Sequence, residues 1–152
     1  MSALGRSKAV VMRVNRFADA KPHEAPNHRG VVGLRLQGFE EHGPENQWVG
    51  FSQFPPGGGA GPDATPFEKV YVVLEGEMTV IAGGQEAVLR AIDSCTIRPG
   101  EVREIVNRGN HACKMMVVIP YPPSNYPPRI LGGVFAGVGP GRRRWRRTDL
   151  LL

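Results

Sequence analysis

Residues 57–76 read GGGAGPDATPFEKVYVVLEG. The first half is glycine and proline with small polar residues, which is loop composition. The second half, KVYVVLEG, is rich in β-branched and aromatic side chains, so it reads as a strand. Gly76 closes that strand where a tight corner needs positive φ. Strand-like runs continue on both sides. Before it stand AVVMRV (9–14), VVGLRLQGF (31–39) and QWVGFSQF (47–54). After it come MTVIA (78–82), EAVLR (86–90), SCTIR (94–98), VREIVN (102–107) and CKMMVVIPY (113–121). Gly83-Gly84, Asp93, Pro99-Gly100 and the stretch Asn107 to Asn110 punctuate these runs. Short strands with turns at such regular spacing predict an all-β single domain, either a sandwich or a closed antiparallel barrel.

The 152 residues suit one domain with a core of its own. We divide the chain into an N-terminal strand and irregular arm (1–30), a β-barrel (31–120) and an extended Pro/Gly-rich arm with a basic tail (121–152). No apolar run approaches the length of a membrane span, and the first residues lack a signal-peptide pattern, so the expected location is cytoplasmic. Cys95 and Cys113 match no zinc or redox spacing and are expected to be buried free thiols. The net charge of +5 is mostly a tail property. Five arginines and one aspartate put +4 into residues 139–152, leaving +1 for the rest. The body therefore has no electrostatic footprint for nucleic acid, and the arginine run at 142–147 with Trp145 is expected to be a tail.

Two stretches carry a family resemblance. In GGGAGPDATPFEKVYVVLEG, Gly57 opens and Gly76 closes the frame of the first cupin motif. Asp63 and Thr65 fall where that family has two histidines, and Lys69 falls where it has a glutamate. In IDSCTIRPGEVREIVN (92–107), Gly100 and Asn107 fit the second cupin motif. Ile92 stands for its first glycine, Arg98 for its proline and Arg103 for its histidine. The chain thus resembles a small cupin over roughly residues 45–120. That resemblance implies a jelly-roll barrel, a homodimer, and a cavity into which Lys69, Tyr71, Val73, Arg103 and Ile105 alternate. It also puts Asp63 and Thr65 at the cavity entrance and Phe51 and Gln53 on its wall.

The departures carry the functional expectation. Neutral imidazoles and a carboxylate bind divalent ions, whereas an ammonium and a guanidinium repel them. We therefore expect no metal and no cofactor. Lys69, Asp63 and Tyr71 are the candidate catalytic residues. Arg103, Thr65, Gln53 and Phe51 are the candidate substrate-binding residues. Arginine's planar fork suits a carboxylate, and a desolvated lysine beside another cation suits acid/base or nucleophilic work. The expected activity is a metal-independent lyase or isomerase reaction on a small anionic carbonyl compound. Its alternative is a non-catalytic small-molecule-binding module, with Asp63, Lys69 and Arg103 as a salt-bridge network. The four histidines lie outside both motifs. His23, His28 and His111 are expected at the surface.

Overall fold

The structure, a computed structural model, describes residues 12–122. Eleven strands follow a 3-10 turn at Phe17–Asp19. They are β1 (Lys21–Pro22), β2 (His28–Arg29), β3 (Val32–Gln37), β4 (Gln47–Phe54), β5 (Gly59–Asp63), β6 (Lys69–Glu75), β7 (Met78–Ala82), β8 (Gln85–Leu89), β9 (Ser94–Ile97), β10 (Arg103–Val106) and β11 (Cys113–Pro120). They form two antiparallel sheets. One has six strands in the order β1-β3-β4-β11-β6-β9, the other five in the order β2-β5-β10-β7-β8. This is the jelly-roll arrangement, an all-β architecture of two facing sheets. Among the described residues, no helix is long and apolar enough to cross a membrane.

The inner faces meet over Phe54, Tyr71, Val73, Met78, Val80, Ile97, Ile105, Cys113 and Met115. A second cluster, Trp48, Phe67 and Ile119, sits beside it. Cys113 is fully buried and Cys95 half-buried, both as free thiols. Residues 12–14 carry no strand, and the remainder of the expected 9–14 strand lies outside the described residues, as does the arm beyond Pro122.

The glycine-rich first half of the 57–76 stretch, of loop composition, contains a strand. β5 pairs with β10 through Val106↔Gly59 and Ile105↔Ala60. Its glycine content reflects close approach: a Cβ on Gly59 would lie 2.1 Å from the Ile105 carbonyl oxygen. Glycine is usually a loop signal, but here only hydrogen fits between two backbones. A bulge between Arg103 and Ile105 then brings Asp63 opposite Arg103.

Ile92 has φ +71° and is 76% exposed. A β-branched residue in the left-handed region is strained, by roughly 1–2 kcal/mol. This is the position at which the second motif carries glycine. Ile92→Gly removes that strain and little buried surface, while glycine's extra freedom in the unfolded chain takes back about 0.5–1 kcal/mol. The expected net gain is about 0.5–1 kcal/mol, read as a higher urea midpoint with an unchanged slope.

Candidate functional site

A cavity of about 100 Å³ opens between the sheets where the two core clusters meet. β6 is buried at Lys69, Tyr71 and Val73 and half-buried between them, so the odd positions face inward. β10 does the same with Arg103 and Ile105. Lys69, Tyr71, Arg103 and Ile105 all line the cavity, and Asp63 and Thr65 stand at its edge.

The polar wall is held rigidly. The Arg103 side chain is 4% exposed. Its Nε donates to the Tyr71 hydroxyl at 2.6 Å, and its Nη1 donates to the Gly61 carbonyl at 3.3 Å. The guanidinium carbon lies 5.9 Å from the Tyr71 ring centroid. No protein acceptor for Nη2 exists among the described residues. Tyr71 accepts from Arg103, so its own proton is free to be donated. Burial raises the phenol pKa, opposed by the adjacent guanidinium, and the hydroxyl stays protonated at neutral pH.

Lys69 is 9% exposed and, among the described residues, its ammonium has no hydrogen-bond or ion-pair partner. Burial, reinforced by Arg103 and only partly offset by Asp63, lowers its pKa to about 8. Asp63 is exposed and spends Oδ1 on the Ala64 amide at 2.9 Å. Among the described residues no ion pair within 4.0 Å joins it to Lys69 or Arg103, so the expected salt-bridge network does not form. Thr65 donates its hydroxyl to the Phe67 carbonyl at 3.1 Å, which uses it to shape the entrance. Glu68 is exposed, which fixes the register on Lys69.

Two sequence expectations need correction. Phe51 and Gln53 are not on the cavity wall, because β4 sends Trp48, Ser52 and Phe54 inward instead. Phe51 is buried on the opposite face, edge-on to the Phe17 ring at 5.3 Å. His23 and His28 are not surface residues; both line the cavity. His111 alone of those three is exposed.

His28 projects from β2, which pairs with β5 at Ala60. Its Nδ1 lies 2.7 Å from the Pro26 carbonyl. A carbonyl only accepts, so Nδ1 carries the proton and Nε2 keeps its lone pair. The ring stacks on Phe54 at 6.2 Å. Burial lowers its pKa below the usual imidazole value, with Arg103 and Lys69 adding to the effect and the Pro26 hydrogen bond opposing it. His23 packs edge-on against Trp48 at 5.3 Å, and burial lowers its pKa to about 4. Both imidazoles are therefore neutral at pH 7, beside two cations.

The family described as Cupin domain matches residues 50–119. Beta-D-galactosidase Rv1717 of Mycobacterium tuberculosis is 41% identical over 111 residues, covering 73% of this chain and 96% of that protein.

The chain is a cupin.

Among solved structures, the polyketide cyclase RemF from Streptomyces resistomycificus superposes with a TM-score of 0.64 at 21% identity, over 72% of this cupin and 80% of that chain. A predicted oxalate decarboxylase from Thermotoga maritima gives a TM-score of 0.62 at 27% identity, over 73% and 100%. Cupins commonly carry a divalent metal at the positions held here by Asp63, Thr65, Lys69 and Arg103. This donor set does not fit one. Two of the four are buried cations, the threonine hydroxyl is engaged, and one carboxylate remains. The two neutral histidines that this cupin does bring to the cavity precede the matched region; His23 is held by its amide on the Gly33 carbonyl of β3 and His28 by the two-residue pairing of β2.

Proposed function

We propose that this cupin is a metal-independent lyase or isomerase acting on a small anionic carbonyl compound. The observation that carries the reading is Lys69: a buried ammonium that has no partner among the described residues, facing a cavity beside a fixed guanidinium. A buried charge is costly unless paired, so a lysine held this way suits a site whose counter-charge arrives with the ligand. In this reading Arg103 binds the carboxylate through Nη2, and Tyr71 donates to a developing oxyanion. His28 Nε2, neutral because burial lowers its pKa, and Lys69, lowered to about 8, hold and move the proton next to the carbonyl. Asp63 acts from the rim by raising the Lys69 pKa.

The test is deuterium exchange into the carbon next to the carbonyl of pyruvate, followed by proton NMR in D2O. The folded wild type exchanges it faster than buffer. Lys69→Met brings the rate to that of buffer, and Arg103→Gln raises the pyruvate concentration needed at least tenfold. Exchange that survives Lys69→Met unchanged overturns the reading. A binding module without chemistry would bind pyruvate through Arg103 and leave its protons in place.

The identity to Beta-D-galactosidase Rv1717 favours a second reading, glycoside hydrolysis. Two-carboxylate hydrolysis needs a pair of acids roughly 5–10 Å apart. Among the described residues lining the cavity, Asp63 is the one carboxylate. Release of nitrophenol from a nitrophenyl β-D-galactoside that depends on Asp63 would favour this reading over the first.

A further inference from the structure

Acid/base work asks only that Lys69 exchange protons. Its surroundings provide for more. The amine faces the cavity and, among the described residues, no carboxylate holds it, so its lone pair is free whenever it is neutral. With a pKa near 8, roughly a tenth of the molecules carry the neutral amine at pH 7, about 300-fold more than for an exposed lysine. A second fixed group, Arg103, presents Nη2 to the same space, so one cation can hold a carboxylate while the other meets the adjoining carbon. His28 supplies a neutral imidazole with an open Nε2.

We propose that Lys69 forms a covalent imine with the carbonyl carbon of a 2-oxo acid whose carboxylate rests on Arg103. This rests on the reading of the cavity as a site for an anionic carbonyl compound and assigns the covalent form of its chemistry. The Nζ lone pair attacks the carbonyl carbon, and the π pair moves onto oxygen. His28 passes the proton lost by nitrogen to that oxygen. The C–O bond then breaks, a second nitrogen proton leaves with the oxygen as water, and the nitrogen lone pair closes the C=N bond. Amine and carbonyl give imine and water, with no oxidant or reductant.

The experiment uses the full chain with pyruvate, and separately glyoxylate, in the presence of cyanoborohydride at pH 7.5. Intact mass and peptide mapping then locate the reduced adduct. The chain has four lysines, Lys8, Lys21, Lys69 and Lys114, which gives internal controls. The expected result is one adduct per chain, at least tenfold enriched on Lys69 over the other three. Arg103→Gln lowers that labelling at least tenfold with pyruvate, and by a clearly smaller factor with neutral acetaldehyde, which senses only the loss of the neighbouring charge on Lys69. No adduct with either acid, or an even spread over the four lysines, overturns the imine. Mapping the wild type suffices if a variant fails to fold. Deuterium exchange measured in parallel separates the two proposals. Exchange without an adduct removes the imine alone, and loss of both exchange and adduct removes the wider reading as well.

Discussion

Lys69→Met should stabilise this cupin by about 3 kcal/mol at pH 7 while abolishing the proposed exchange of pyruvate protons. The lysine is buried and its pKa falls from 10.5 to about 8, so the folded state resists its charge by about that much. The sign follows from proton counting. Between pH 8 and 10.5 the unfolded chain binds more protons at this position than the folded one, so wild-type stability from this group rises with pH across that window. Below pH 8 the folded protein carries the full cost of the buried ammonium. Methionine has a similar length and no charge. Its advantage should therefore be largest below pH 8 and vanish above about pH 10.5. Urea denaturation of both proteins from pH 6 to 10.5 measures the difference directly. A Met variant that is less stable at pH 7 would mean that the ammonium is solvated or paired. A gain in stability with a loss of turnover is the mark of a group held in place for function.

Asn107→Ala should cost about 3 kcal/mol or more. The side chain is fully buried and joins three backbone segments. Its Nδ2 donates to the Phe54 carbonyl at 3.1 Å and to the His111 carbonyl at 2.8 Å, and its Oδ1 accepts from the Gly109 amide at 3.0 Å. Its own backbone pairs with Gly57 and Gly58 at 2.8 Å each way. Alanine leaves two carbonyls and one amide without partners, at about 1–3 kcal/mol apiece where water cannot replace them. Asn107→Asp keeps the shape but loses both donors, and should be no better. Thermal unfolding of the three proteins decides it, because a role limited to filling space would leave Asn107→Asp near wild type.

The motif frame made much of this legible. Gly57, Gly76, Gly100 and Asn107 mark backbone positions that need particular geometry, and alternation from them placed Lys69, Tyr71, Arg103 and Ile105 on one interior. What was not legible has physical causes. β4 is apolar on both faces, with Trp48 and Phe54 on one and Val49 and Phe51 on the other, so its alternation could not say which side faces inward. Phe51 is buried, but beneath Phe17. β5 hid behind its glycines, because the same residue that loosens a loop also permits two backbones to touch. His23 and His28 lie in a polar, proline-containing stretch with no strand pattern. Long-range pairing brings that stretch to the cavity: Lys21 and Pro22 pair with β3, the His23 amide donates to the Gly33 carbonyl, and His28 and Arg29 pair with Ala60 and Gly59.

That pairing separates two kinds of hereditary freedom. The wall bearing Lys69, Tyr71 and Arg103 belongs to long ladders and cannot vary without disturbing the scaffold. The facing wall hangs on short pairings only: two residues of β1 on β3, the His23 amide on Gly33, two residues of β2 on β5, and Asn27, whose carbonyl accepts from Gly61. A lineage can therefore exchange the short segment from His23 to His28, and with it the choice of molecule admitted, while the anchoring cations stay as they are.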